Sequence, residues 1–429
     1  MPTLRTLDAS RIVSTPQLTL LRRISARASD LGSPAYLVGG FVRDALLGRP
    51  VNDFDVVVEG DAIALARMLV ESLGGGLTVH PKFQTAIWEL NNDVLDHLRV
   101  PKMLRPFSPA FLDIITARSE SYAHPGALPT ITPSGIDDDL CRRDFTLNAM
   151  ALKLNGDPFG ELLDPLGGQA DLEAGLIRFL HPRSFVDDPT RMYRAARYEQ
   201  RYGFRIEDGT LRSVNSEARK VLLRLSGERL RHEFDLIFDE PHAAEILVRL
   251  AEQDLLKSIH PAVPWDSEVK SRLKRGAPAT GSGELRRSTG WILWLAGLPQ
   301  AKIEALAERL AFPAALTREI SSAARLLVDL PSLSVARPSQ WATRLDDVPE
   351  AAIHAISMLT WDEAAKQAMD DYLSKWKQVK PRTTGHNLQK RGLQPGPRYK
   401  EILSRLRAAW LDGEVSSEKE ESQLLDSLL

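Results

Sequence analysis

The stretch Leu37-Val-Gly-Gly-Phe-Val-Arg-Asp-Ala-Leu-Leu-Gly48, followed by Asn52-Asp-Phe-Asp-Val-Val-Val58, decides the reading of this chain. A short apolar run stops at two glycines and resumes with helical spacing, which predicts a strand over 35–38, a turn, and a helix over 41–47. Gly39 and Gly40 let a ligand come close to the backbone, and the helix that follows points its positive end at the same spot. Arg43, on the first turn, adds a fixed cation; the combination suits a triphosphate. Asp53 and Asp55 then share one face of the next strand, because residues i and i+2 point the same way. Side-by-side carboxylates repel unless a cation neutralises them, and oxygen ligands with room for water and phosphate favour Mg²⁺. Asp113, on another expected strand, offers a third carboxylate. The competing reading makes Asn52-Asp53 a strand-entry turn and leaves Asp55 solvated. The glycines and Arg43 just upstream weaken it.

Around this stretch the pattern is mixed. Strands are expected at 35–38, 54–58, 85–90 and 111–116, and helices at 41–47 and 62–73, after a leader helix that starts at Thr15-Pro16 and ends at Gly32. Residues 119–139, with three prolines, two glycines and Asp137–Asp139, read as a long solvated loop. Beyond Ala170 strand signals fade, and 184–202, 243–258, 301–310, 316–330 and 362–377 carry helical periodicity, with joints at 275–282 and 330–338. The fold class is therefore α+β, a small mixed-sheet head followed by helices only. Its expected segments are the leader 1–34, a head 35–155, a neck 156–240, a body 241–380 and a tail 381–429.

Composition sets the outer bounds. At 429 residues, with 43% hydrophobic and 26% charged side chains, the chain is an ordinary multidomain globular protein. The single cysteine, Cys141, excludes an internal disulfide and a Cys-based zinc site, so metal binding must rest on oxygen. No apolar run approaches membrane-spanning length and Met1–Ser10 has no signal core, so a cytoplasmic location without membrane contact is expected. The net charge of -2 argues mildly against a polyanionic partner. It is unevenly spread, however: residues 183–231 hold twelve Arg or Lys against seven Asp or Glu. That stretch suits RNA or nucleotide contact, with a salt-bridged solvent helix as the alternative.

Four more segments extend the pattern: Arg142-Arg-Asp-Phe-Thr-Leu-Asn-Ala-Met150, Asp164-Pro-Leu-Gly-Gly-Gln-Ala-Asp-Leu172, Asp187-Asp-Pro-Thr-Arg-Met-Tyr-Arg-Ala-Ala-Arg-Tyr198 and Ser226-Gly-Glu-Arg-Leu-Arg-His-Glu233. With Leu37–Val58 they resemble, in order, the five motifs of the tRNA nucleotidyltransferase and poly(A) polymerase family, in its bacterial and eukaryotic class of CCA-adding enzymes. The resemblance implies a nucleotidyltransferase head with a helical neck, body and tail. It implies that Asp53 and Asp55 hold the catalytic metals and that Gly40 and Arg43 meet the nucleotide phosphates, with Gly39 beside them in the turn. Arg143 would bind near phosphates or sugar, and Asp144 near the ribose. Asp188 and Arg191 would read the base, while Arg194 and Arg197 complete the pocket. One departure is visible, since the fourth motif usually begins Glu-Asp where this chain has Asp187-Asp188.

The chemistry of that fourth motif is coherent. Cytosine and adenine both present an amino donor beside a ring-nitrogen acceptor, which a carboxylate and a guanidinium match. Uracil and guanine present the reverse and leave polar groups unpaired. Asp188-Pro189 is also a good helix start, so capping competes with base reading for Asp188. The implied reaction is transfer of CMP and AMP from CTP and ATP to the tRNA 3′ end, with Mg²⁺ and release of pyrophosphate. CC-only addition, A-only addition and poly(A) polymerase share the scaffold, as would a catalytically silent RNA-binding relative. His80-Pro-Lys-Phe-Gln-Thr-Ala86 looks like the tRNA-specific branch. Thr383–Lys400 resembles a tail segment of bacterial members, suited either to a phosphate backbone or to a helix-packing joint.

Overall fold

The computed structural model describes residues 12–51, 54–105, 107–156, 159–276 and 283–429. The chain divides into two compact units, one ending at Arg224 and the other beginning at Leu225.

The first unit opens with α1 (Thr15–Asp30), where Ser14 and Gln17 form a reciprocal capping box. Then come β1 (Ala35–Val38), α2 (Gly40–Leu46), β2 (Asp55–Val58), α3 (Ala62–Leu73), β3 (Gly76–His80), β4 (Thr85–Glu89), α4 (Asn92–His97) and β5 (Phe111–Thr116). A hairpin, β6 (Arg118–Ser121) and β7 (Thr130–Pro133), leads into α5 (Ile136–Cys141), β8 (Ala151–Lys153) and β9 (Glu161–Leu163). Next are α6 (Gly168–Glu173), β10 (Leu176–Ile177), α7 (Ser184–Asp187), α8 (Thr190–Tyr202) and β11 (Arg205–Ile206). Two short helices, α9 (Asp208–Arg212) and α10 (Ser216–Leu222), close the unit.

Seven strands form one sheet in the order β3-β4-β5-β2-β1-β8-β9. All neighbours are antiparallel except β2 and β5, which run parallel with Asp55 opposite Asp113 and Val57 opposite Ile115. Val56, Val57 and Val58 are all fully buried, so both faces of the central strand are covered. On one face Leu37, Val56, Leu112, Ile114 and Trp88 are buried; α3, whose Leu65, Ala66 and Leu69 are wholly buried, covers β3, β4 and β5, and α1 lies against β1. On the other, Tyr36, Val38 and Val57 pack against Ile136 and Leu140 of α5. That second face carries the site.

Three expectations are corrected here. Residues 119–139 are not a free loop, since they hold most of a two-stranded ribbon and the start of α5, with Asp139 wholly buried. The helix expected over 184–202 is two helices, because Pro189 follows Asp188 in extended conformation (φ -133°, ψ 94°). The joint expected from Leu330 is still helix as far as Leu333, with Pro331 inside the last turn.

The second unit is helical: α11 (Gly227–Phe238), α12 (Ala243–Glu252), α13 (Ser267–Arg275), α14 (Gly283–Leu295), α15 (Gln300–Arg309), α16 (Ala314–Leu333), α17 (Pro338–Leu345), α18 (Glu350–Leu359), α19 (Glu363–Ser374), α20 (Gly385–Lys390), α21 (Pro397–Leu411) and α22 (Glu418–Leu428). Its core centres on Trp291 and Trp294, stacked at 5.6 Å between centroids and flanked by Phe234 and Phe238. In the tail, Leu388, Ile402, Leu406 and Leu425 form a small core. The Glu421 carboxylate, buried there, accepts from the Arg382 and Thr383 amides at 2.9 and 2.6 Å and from the Trp410 indole. Arg391 donates to Asp426, and Arg398 to the Leu428 carbonyl. Two of the four cations in the tail segment are thus spent on packing. No helix among the described residues is long and apolar enough to cross a membrane.

Candidate active site

The site lies where β1 ends and β2 and β5 begin. The β1–β2 register runs Ala35 to Val58 and Leu37 to Val56, so Val38 comes opposite Asp55, and Gly39 falls at the same end of the sheet. Gly39 has φ +62° and ψ -116°, a conformation that L side chains rarely adopt. Its N–H donates to the Met150 carbonyl at 3.1 Å, tying the turn to the segment after Arg143. A Cβ at Gly39 would lie 2.7 Å from Arg143 Nη1. Glycine is required twice over, by conformation and by the guanidinium laid across it.

Arg143 is positioned by Asp139. Arg143 Nη2 donates to Asp139 Oδ2 at 2.9 Å, while Arg142 donates to Oδ1 through Nε at 2.9 Å and Nη2 at 2.7 Å. Burial alone would raise the Asp139 pKa, yet the Arg143 and Arg142 guanidiniums hold it below the usual carboxylate range. The Arg143 Nε–H is buried and has no hydrogen-bond partner among the described residues. An orphaned buried donor of this kind is one that a ligand oxygen can satisfy.

A second network supports the first. Asp144 accepts from the Phe145 amide at 2.8 Å and Asn148 Nδ2 at 2.9 Å through Oδ1, and from Arg194 Nε at 2.8 Å through Oδ2. Burial opposes its ionisation, but Arg194 and the Asn148 hydrogen bond outweigh burial and bring its pKa down to about 2. Arg43 is buried, with Nε and Nη2 on Asp44 at 2.9 and 2.8 Å and Nη1 on Asn148 at 2.6 Å. Asn148 therefore bridges Arg43 and Asp144. The third motif braces the second, since Thr146 Oγ1 donates to Asp171 at 2.6 Å and Gly168 abuts the Thr146 carbonyl.

In the fourth motif, Asp188 Oδ1 accepts from the Thr190 amide at 3.1 Å and its hydroxyl at 2.7 Å, a capping contact. Arg191 is buried; Nη1 donates to Ser184 Oγ at 2.7 Å and Nη2 to the Arg142 carbonyl at 2.8 Å. That last bond joins the fourth motif to the second. Arg43, Arg194, Arg197 and Arg201 all set their guanidinium carbons 5.5 to 5.9 Å from the Tyr198 ring centroid. The ring adds cation–π attraction, while Asp44 and Asp144 neutralise Arg43 and Arg194.

Of the expected site residues, Gly39, Arg43, Arg143, Asp144, Asp188, Arg191, Arg194 and Arg197 gather in these networks, Gly40 opens α2 beside Gly39, and Asp55 and Asp113 pair on adjoining strands. Asp53 lies outside the described residues. Asp55 and Asp113 are both partly exposed, and a pair of carboxylates with access for water suits a hard divalent cation. Among the described residues no set of three or more His, Cys, Asp or Glu gathers as metal ligands. The sequence reading missed Asp139, Asn148 and Tyr198. Asp139 stands three and four residues before Arg142 and Arg143, and Asn148 four after Asp144, spacings that could have pointed to both.

Comparison with known proteins accords with this geometry. Residues 35–178 match the family model "Poly A polymerase head domain", and 203–265 match "Probable RNA and SrmB- binding site of polymerase A". An A-adding tRNA nucleotidyltransferase of Halalkalibacterium halodurans is 33% identical over 95% of this chain and 91% of its own length. A second A-adding enzyme, from Geobacter sulfurreducens, is 31% identical over 97% of this chain, which spans 47% of that relative. Other relatives are CC-adding and CCA-adding enzymes. The solved structure of a CCA-adding enzyme in an apo form superposes with a TM-score of 0.81 at 30% identity, over 100% of both chains. Further solved CCA-adding enzymes are complexes with ATP, with CTP and, for the Thermotoga maritima enzyme, with tRNA. Fold and site together define a nucleotidyltransferase. The chain belongs to the tRNA nucleotidyltransferase and poly(A) polymerase family.

Proposed function

We propose that this protein adds CMP and AMP from CTP and ATP to the 3′ end of tRNA without a nucleic-acid template. The observation that carries the reading is the Asp55–Asp113 pair, at the same end of the sheet as the Gly39 turn under Arg143. Full-length likeness to a solved CCA-adding enzyme supports the same substrate class.

Asp53 and Asp55 would hold Mg²⁺, with Asp113 alongside. A divalent cation there supplies charge neutralisation for the attacking oxygen and the departing pyrophosphate. Gly39, Gly40 and Arg143 receive the triphosphate, Arg143 offering the orphaned Nε–H, while Arg43 stiffens the turn through Asp44 and Asn148. The tRNA 3′-oxygen then bonds to the α-phosphorus as the bond to pyrophosphate breaks. Asp144 keeps Arg194 in place at the ribose side of the pocket. Asp188 and Arg191 read the amino group and ring nitrogen shared by C and A, with Arg191 held rigid by Ser184 and the Arg142 carbonyl. A rigid reader loses little entropy on binding and discriminates by leaving mismatched polar groups unpaired.

A second reading, addition of the terminal AMP alone, is favoured by the A-adding relative matched over nearly the whole chain. The discriminating experiment offers purified protein tRNA that ends before, within or after the CC sequence, with CTP alone or ATP alone. Full CCA activity lengthens all incomplete substrates in turn. A-only activity lengthens only tRNA ending in CC, and only with ATP.

A further inference from the structure

The second unit carries a basic surface with an exposed aromatic that none of the site chemistry uses. Ser267, Lys270, Ser271 and Lys274 fall at helical spacing along one face of α13 and, with Arg275, line an open groove. Lys270 and Lys274 are exposed, and neither has a salt-bridge partner among the described residues. Of the two acids beside them, Glu268 is engaged by Arg272 at 3.0 Å, and Asp266 caps the helix by accepting from the Val269 amide at 2.8 Å. Beside the groove stands Trp361, 77% exposed although it is the largest kind of apolar side chain. Arg275 stacks on it at 4.6 Å from the ring centroid, itself anchored through Nη1 to the Leu359 carbonyl at 2.8 Å. The indole is thus held in place in solvent, not buried in a core.

We propose that Lys270, Lys274 and Trp361 form an RNA-binding surface, the lysines meeting consecutive phosphates and the indole stacking on an exposed base. The proposal rests on the tRNA reading above, and its residues lie C-terminal to the stretch that matches the RNA-binding family model. Two lysines at i and i+4 stand about 6 Å apart along a helix axis, so both can engage one backbone. Lysine supplies point charge to phosphates without selecting sequence. An aromatic ring stacks on any base, which suits a protein that must accept every tRNA. An acidic peptide would satisfy the lysines but supplies no base to stack on the indole face that Arg275 leaves open.

The test measures binding of full-length protein to tRNA by fluorescence anisotropy at several salt concentrations. The proteins compared are wild type, K270E/K274E, K270Q/K274Q, W361A, W361F and the exposed control K302E. The expected result is a Kd raised about tenfold or more by both lysine pairs, with a salt slope shallower by about 1.8. W361A should raise Kd about fivefold or more, and W361F should restore most of it. K302E should match wild type. Wild-type Kd and salt slope in all the surface variants overturn the proposal, as does an equal loss in K302E. Equal weakening by W361A and W361F overturns the stacking role. If wild type binds tRNA through this surface yet never extends it, the transfer reading fails while the surface stands.

Discussion

Asp139 Oδ2 accepts from Arg143 Nη2 at 2.9 Å, and the same guanidinium covers Gly39 with its other terminal nitrogen. A wholly buried carboxylate thus sets the position of an arginine that faces the turn where phosphates are expected. Asp139→Ala leaves Arg142 and Arg143 without their shared acceptor, and breaking a buried pair costs about 3–5 kcal/mol. The nucleotide KM should rise about tenfold, as expected for loss of one charge-assisted contact. Urea unfolding and KM for ATP and CTP check the two effects separately. A destabilised enzyme with an unchanged nucleotide KM would make Asp139 purely structural.

Gly39→Ala tests the turn itself. The added methyl meets Arg143 Nη1 at 2.7 Å in a backbone conformation that disfavours side chains. Strain of about 1–3 kcal/mol is expected, together with displacement of Arg143. Titration of ATP into the variant should show weaker binding than wild type, and Gly40→Ala, which begins α2 without a positive φ, should be milder.

Much of this could be read in the residues beforehand, and what could not has physical reasons. The strands around Asp55 and Asp113 are apolar and long enough to show, and the glycine turn announces itself. The ribbon of Arg118–Ser121 with Thr130–Pro133 does not, because most of its side chains lie outside the core and carry no alternation. Strands Ala151–Lys153 and Glu161–Leu163 span three residues each, too short for a period of two to register. The break at Asp188-Pro189 hides inside a helical pattern that continues across it. Asp139 reads as solvated because it sits in a run of acids, and only the fold reveals that it alone of the three is buried.

The Asp144 pKa of about 2 makes a pH prediction. Its folded value lies below the unfolded value of about 3.9, so its contribution is present above about pH 4 and lost as pH falls towards 2. The contribution is about 3 kcal/mol, from roughly two units at about 1.36 kcal/mol each. Asp144→Asn should therefore be less stable than wild type at pH 7, and the gap should close between pH 4 and pH 2. Urea melts across that range check it; a gap independent of pH contradicts the charged pairing with Arg194.

Arg191→Ala removes the guanidinium that Ser184 and the Arg142 carbonyl hold in place. Discrimination of ATP and CTP over UTP and GTP should fall by tenfold or more, about the value of one hydrogen bond to a charged group. Competition between nucleotides in single-turnover assays reads this ratio directly. An unchanged ratio would take base reading away from Arg191.

The most direct measurement follows AMP incorporation and pyrophosphate release on tRNA ending in CC, with ATP, for wild type and Asp55→Ala. Both CCA addition and terminal A addition predict one AMP per tRNA and one pyrophosphate per AMP in wild type. Asp55→Ala should lose activity by a thousandfold or more, the scale of an electrostatic group at a reacting phosphate, with tRNA affinity retained. No incorporation by wild type, or undiminished incorporation by Asp55→Ala, would contradict nucleotidyl transfer at the Asp55–Asp113 pair.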